Sequence, residues 1–263
     1  MNVFNSLGSN YNISDVFESL FTSNKAIYQA NLIDVLNKKY PGEVQLFYKA
    51  RFAITAALKL LKLPQDSYVA ITGFTCYAVY KAAIDAGCKV QYLDIEQGTL
   101  NFSPEILELA LRKNPKIRAI IIQNTLGYPC DGIKIRDICK KNSLALIEDL
   151  AHCVGSKYQT GEEVGKIGDC TILSFSQDKV IDAVSGGALV IRNQKYKKQS
   201  TITSERLNGT QDLKDRLYPL LTTLIRLFYP LGVGKILHRL LKHANLLSSP
   251  MSADGHNRLY SLP

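Results

Sequence analysis

The chain has 263 residues, of which 46% are hydrophobic and 21% charged; it can bury a sizeable core, which excludes disorder as a description of the whole. The six cysteines, at 76, 88, 130, 139, 153 and 170, include no CxxC pair, so reduced and mostly buried thiols are expected, not a disulfide framework or a zinc site. The net charge of +9 is uneven, with twelve Lys/Arg against four Asp/Glu from Arg192 onward: either a solvated helical face, or an attraction to a membrane surface, nucleic acid or a phosphorylated substrate.

Residues 1–15 show no basic-then-apolar leader pattern, which points to the cytoplasm. Residues 1–43 read as mixed loop and helix, with apolar residues at helical spacing over 26–36 and a turn at Pro41-Gly42. A short strand is predicted over 44–48, running straight into Lys49-Ala50-Arg51 and a helix to residue 61. A strand-to-helix turn presents backbone N–H groups that suit an anion, and Lys49 and Arg51 would add charge there; the plain alternative is a solvated basic turn.

Beyond Pro64 the alternation becomes regular. Strands are predicted over 68–71, 89–93, 119–123 and 144–147, separated by helices over 76–86, 104–111 and 132–140. Ser103 caps the second of these helices and Pro104 occupies its first turn. Strands over 170–174 and 188–191 follow. Gly186-Gly187, just before the last, suits positive φ, a close backbone approach or an ordinary turn. Strands spaced by helices in this way imply right-handed βαβ units, hence an α/β fold with three layers, α/β/α, around a mainly parallel central sheet.

Past Arg192 the character changes. Residues 217–247 are apolar but interrupted by Pro219, Pro230, Gly232, Gly234 and several bases, which argues against a membrane span. Broken helices packed on a domain or dimer surface are expected, or an interfacial amphipathic segment. The chain thus divides into an N-terminal segment (1–43), a large domain (44–192) and a basic helical tail (193–263).

Chemistry concentrates between 144 and 187. One apolar run ends in Glu148-Asp149 and a second in Ser174, with Lys179 shortly after. Strands of α/β sheets place function at their carboxyl ends. A carboxylate and a lysine facing each other across one crevice are what pyridoxal phosphate requires: an amine to hold it covalently and an acid to bind its protonated ring nitrogen. The competing readings lack their motifs. There is no GxxxxGK[ST], HExxH or GxGxxG, and Gly232-Val233-Gly234-Lys235 has neither the spacing nor the hydroxyl residue of a phosphate loop. His152 is either a structural hydrogen-bonder or a neighbour of whatever Asp149 binds; the other histidines, 238, 243 and 256, are distant in the chain.

SFSQDK at 174–179 followed by GGALV at 186–190, with IEDLAH at 147–152 upstream, resembles the DegT/DnrJ/EryC1/StrS family of sugar aminotransferases. GEEVGKIGD (161–169), GFTCYAVYKAAIDAGCKVQYLDIE (73–96) and NTLGYPCDGIKIRDICKKNSLALIED (124–149) are similar to the segments between and before these motifs, so the resemblance covers about 26–192. It implies the large-domain fold of pyridoxal-phosphate transferases of the aspartate aminotransferase type. It also implies Lys179 as the lysine that carries pyridoxal 5'-phosphate and shuttles the proton, and Asp149 as the partner of the ring nitrogen. His152 would lie near the phenolic oxygen, Ser174 with backbone groups at Ala50 and Arg51 would hold the phosphate, and Cys76 would take the place of an aromatic residue over the ring face. The activity implied is transfer of an amino group, from glutamate, to a nucleotide-linked keto-sugar in polysaccharide, lipopolysaccharide or related sugar biosynthesis, by a homodimer whose sites lie between subunits. The presence of Lys179 points to a transaminase and not to the sugar-dehydrating relatives that carry histidine there.

The sequence departs from the family pattern in three ways. Lys49-Ala50-Arg51 stands where the family has Ser-Gly-Thr or Ser-Gly-Arg, Ser185 replaces an acidic residue before the diglycine, and family members continue through a smaller C-terminal domain. Gly255-His256-Asn257-Arg258 is similar to a family segment whose asparagine reaches a neighbouring subunit's phosphate. Two functions of different class follow: the aminotransferase, or a non-catalytic remnant of the large domain acting through its basic tail at a membrane or partner. Neither calls for nucleic acid or a metal.

Overall fold

The computed structural model describes residues 11–22, 25–197 and 209–249; the segment 255–258 lies outside them. Among the described residues one sheet contains seven strands: β1 (Glu43–Phe47), β2 (Tyr68–Thr72), β3 (Lys89–Leu93), β4 (Ile117–Ile122), β5 (Ala145–Asp149), β6 (Cys170–Ser174) and β7 (Gly187–Ile191). Their spatial order is β1-β7-β6-β5-β4-β2-β3. The pairs β6/β5, β5/β4, β4/β2 and β2/β3 are parallel, so the sheet is mainly parallel as the alternation predicts. The exception is β7, antiparallel to both β6 and β1. Its cause is the connection: 175–186 contains no helix to carry the chain back across the sheet, and antiparallel neighbours need no crossover.

Alternation along the strands assigns each side chain to a layer. Ile71, Ile121, Ile147, Ile172 and Leu189 face α3 (Ala50–Leu60) and α4 (Tyr77–Asp85). Ile120, Ile122, Leu146, Leu173 and Val190 face α2 (Lys25–Lys39), α5 (Pro104–Lys113) and α6 (Gly132–Lys141). Every residue of β5, β6 and β7 is buried. Each isoleucine fully removed from water contributes roughly 1.5–3 kcal/mol, which explains the near-continuous apolar runs. Ala53, Ala56 and Ala57 of α3 and Ala82 and Ala83 of α4 lie at 0–1% exposure; their small side chains let the two helices close together. Ser103 accepts from the Ile106 N–H at the start of α5, with proline in the first turn.

The remaining helices are α1 (Ile13–Phe21), α7 (Gln194–Lys197), α8 (Gly209–Leu227) and α9 (Val233–His243). Arg216 of α8 ties the tail to the N-terminal segment: its guanidinium donates to the carbonyls of Ser19, Leu20 and Thr22 at the end of α1. Those carbonyls are acceptors that a helix end leaves unpaired. No helix among the described residues is long and apolar enough to cross a membrane.

Candidate active site

The carboxyl ends of β5 and β6 and the start of α3 meet at one cleft. Asp149 is the last residue of β5 and Ser174 the last of β6, while Gln123 directly follows β4. Parallel register holds these ends level: Ile122 pairs with Glu148, and Asp149 with Ile172. Lys49 is the N-cap of α3 and Cys76 that of α4. Lys179 lies in the β6–β7 loop, whose return depends on two glycines. Gly186 adopts φ 125°, and a Cβ on Gly187 would stand 2.5 Å from the Ala50 nitrogen. Only glycine lets β7 pass this close to the first turn of α3.

The cleft is a cavity of about 290 Å³. All seven residues singled out in the sequence line it: Lys179, Asp149, His152, Ser174, Ala50, Arg51 and Cys76. The Lys179 Nζ lies 3.3 Å from His152 Nε2. Asp149 is 2% exposed and accepts the Ala151 N–H at 3.0 Å. Burial pushes its pKa up to about 6, against the opposing pull of the Ala151 N–H and the Lys179 charge. Burial, reinforced by the Lys179 charge, lowers the pKa of His152, so its imidazole is neutral near pH 7. Cys76 is exposed at the mouth.

Two contributors, Thr75 and Gln123, carry no motif in the sequence. Thr75 donates to Gln123 Oε1, which turns the Gln123 amide nitrogen toward His152 Nδ1 at 3.4 Å. This contact holds the ring so that Nε2 faces Lys179. The position of Gln123 at a strand's carboxyl end was the available signal. The Lys49 side chain, whose charge the sequence places at the strand-to-helix turn, also reaches the cleft. It is 3% exposed, its Nζ has no hydrogen-bond acceptor, and it lines the cavity. Burial, opposed by Asp215 and aided by Arg51, pushes its pKa down to about 8. Glu148 points away from the cleft, and no group of three or more His, Cys, Asp or Glu among the described residues could hold a metal ion.

A three-layer α/β domain with a mainly parallel sheet and a lysine- and aspartate-lined cleft at its strand ends is the large-domain architecture of pyridoxal-phosphate-dependent aminotransferases. The solved Helicobacter pylori aminotransferase involved in the biosynthesis of pseudoaminic acid shares it, with a TM-score of 0.63 and 21% identity over 71% of this chain and 50% of that one. The chain belongs to the DegT/DnrJ/EryC1/StrS aminotransferase family, whose model matches residues 49–218. It is 35% identical over 131 residues to the UDP-4-amino-4,6-dideoxy-N-acetyl-beta-L-altrosamine transaminase of Campylobacter jejuni, covering 49% of this chain and 34% of that protein. To the dTDP-4-amino-4,6-dideoxy-D-glucose transaminase of Shigella dysenteriae it is 31% identical over 182 residues, 68% of this chain and 47% of that protein. In both cases the match spans less than half of the relative's length.

Proposed function

We propose that the chain is a pyridoxal-phosphate-dependent aminotransferase that moves an amino group from glutamate to a keto-sugar carried on a nucleotide, in polysaccharide or related sugar biosynthesis. The observation that carries this reading is the shared cavity of Lys179, Asp149 and His152, with a buried ammonium at Lys49 that has no hydrogen-bond acceptor. These residues fit the cofactor. Asp149 would hold the ring nitrogen, and a cation there offsets the burial that raises its pKa. Ser174, the Lys49 ammonium and the backbone at Ala50 and Arg51 would hold the phosphate, since the start of a helix leaves N–H groups without intrahelical partners. Lys179 would carry the cofactor covalently, with His152 beside the ring and Cys76 over its face.

Bound pyridoxal phosphate supplies an electron sink for the carbon next to the transferred nitrogen. The chain's residues supply the rest. Thr75 and Gln123 fix the His152 ring so that Nε2 faces the Lys179 nitrogen. Lys179, beside that ring, would take up a proton as a base. Lys179 would then return the proton from the same position. Two relatives, transaminases of nucleotide-linked amino sugars, support the substrate class.

The same reading includes a cytoplasmic homodimer. Phe74, Tyr77 and Val180 are 51–60% exposed beside cleft residues Cys76 and Lys179, an apolar rim that a second copy would cover. It also includes peripheral contact of the basic tail with a membrane surface. The test is direct. Purified protein given pyridoxal phosphate should show a visible absorption band that bleaches on adding glutamate, and Lys179→Ala should lose band and activity completely. A colourless protein, or a band that survives Lys179→Ala, overturns the reading; the former is the behaviour of a non-catalytic scaffold.

A further inference from the structure

The sequence of α9 is VGKILHRLLKH. At 3.6 residues per turn, Val233, Ile236 and Leu240 form one stripe, and Lys235, Arg239 and Lys242 form the stripe beside it. The apolar stripe faces outward: Val233 is 52%, Ile236 63% and Leu240 62% exposed. Leu227 and Leu231, at the turn from α8, extend it at 67% and 76% exposure. From Arg216 to Ser249 there is no acidic residue, while five Lys/Arg and two histidines occur.

This apolar surface sits on a fixed hairpin. The Gly234 N–H donates to the Phe228 carbonyl at 2.9 Å, and a Cβ on Gly234 would stand 2.2 Å from the Ile225 carbonyl oxygen. Glycine thus allows α9 to seat against the end of α8, where Thr222 and Ile225 are fully buried. Besides Arg216, Asp215 anchors α8 by accepting from Ser185 and Ser248, each at 2.5 Å. Exposed apolar side chains on a rigid, anchored element call for an occupant.

We infer that the outer face of α9 docks on an anionic lipid surface, with Val233, Ile236 and Leu240 entering the acyl boundary and Lys235, Arg239 and Lys242 meeting the headgroups. This deepens the membrane contact proposed for the tail and rests on that contact, not on the cofactor chemistry. Charge selects the occupant: bases flank the apolar stripe, acids are absent, and that combination is complementary to anionic phospholipid. Length sets the orientation. Eleven helical residues span about 16 Å, well short of a bilayer's hydrocarbon core, so the helix lies in the interface plane.

The experiment is sedimentation of the full chain, loaded with pyridoxal phosphate, with vesicles of phosphatidylcholine alone or mixed with phosphatidylglycerol. Binding is expected to the mixed vesicles only, and to weaken in high salt. The pairs Ile236→Asp/Leu240→Asp and Lys235→Glu/Arg239→Glu should each reduce partitioning by more than roughly tenfold, with circular dichroism and thermal melting unchanged. Wild-type protein that stays in the supernatant with mixed vesicles removes both this inference and the tail contact beneath it. Binding that neither pair weakens leaves a tail contact but excludes α9. An oligomer that Ile236→Asp/Leu240→Asp converts to monomer, with vesicle binding unaltered, assigns the face to a second copy and overturns the proposal. Absorbance of the bound cofactor in the same samples reports separately on the enzymatic reading.

Discussion

Glu148 and Asp149 close the same strand side by side, and the fold gives them opposite surroundings. Strand alternation sends Glu148 to the face covered by the 150–169 connection and Asp149 into the cleft. Glu148 accepts from the Tyr158 hydroxyl at 2.8 Å and from the N–H groups of Gly165, Ile167 and Gly168 at 2.7, 2.9 and 2.7 Å. Arg192 stands 4.0 Å away and donates to the Gly165 and Gly168 carbonyls. Asp149 accepts from a single backbone N–H, that of Ala151. Burial raises the pKa of both carboxyls, but at Glu148 four donors work against it. A buried charge whose neighbours fill its hydrogen-bonding capacity is a structural device. A buried charge left with little company has been kept for something that binds.

The largest break in this comparison comes from Glu148→Ala. It leaves three backbone N–H groups and one hydroxyl without acceptors in the interior, and Arg192 without its carboxylate. The expected loss is on the order of 3–5 kcal/mol, read as a fall in urea midpoint with unchanged slope. Glu148→Gln keeps part of the acceptor set and should lose less. A loss below roughly 1 kcal/mol for the alanine variant would mean that the loop does not depend on this carboxylate.

Asp149→Asn should do the reverse. In the cofactor-free protein the folded carboxyl titrates near 6 and its ordinary value is 3.8. Between those values the folded state holds the proton longer than the unfolded state does, so stability falls as pH rises across that window and stays low above it. Removing the charge should therefore stabilise the cofactor-free protein at pH 7 by about 3 kcal/mol, with no difference below about pH 4. Urea unfolding at the two pH values checks this. The same variant should bind pyridoxal phosphate weakly and fail to transaminate. Destabilisation at pH 7 would put Asp149 in the same class as Glu148.

The parts legible in the sequence are those set by local signals. Apolar runs bounded by turn residues located β3 and β6 to the residue, and the carboxyl-end rule brought Asp149, Ser174 and Lys179 to one edge. Strand β5 runs two residues further than the apolar pattern indicates, because Glu148 is sealed by donors from 158–168 and so can continue a buried strand. The antiparallel course of β7 was not legible, since direction depends on how 175–186 travels and not on composition. Nor was the role of Gln123: its partners His152 and Thr75 lie 29 and 48 residues away. A glutamine at a strand end is chemically mute until the fold supplies them.

Lys49 is the cationic counterpart of Asp149 and sharpens the comparison at the smallest scale. Its structural foil is Arg192, whose guanidinium is spent on the Gly165 and Gly168 carbonyls and Thr171. The Lys49 ammonium, by contrast, has no acceptor. Its folded pKa of about 8 lies below the ordinary 10.5, so its charge costs stability below about pH 8, and that cost fades as pH rises toward 10.5. A bound phosphate would change the sign, because the anion supplies the missing acceptor and favours the protonated amine. One charge-assisted hydrogen bond corresponds to on the order of ten- to a hundredfold in affinity. Lys49→Met should therefore weaken inorganic phosphate and pyridoxal phosphate by that factor at pH 7, measured by calorimetry, and leave unphosphorylated pyridoxal unaffected. The difference should shrink above pH 8 as the wild-type amine loses its proton. Equal phosphate affinity in the two proteins would show that the Ala50–Arg51 backbone and Ser174 hold the anion alone, leaving Lys49 as a buried cation over the Tyr48 ring.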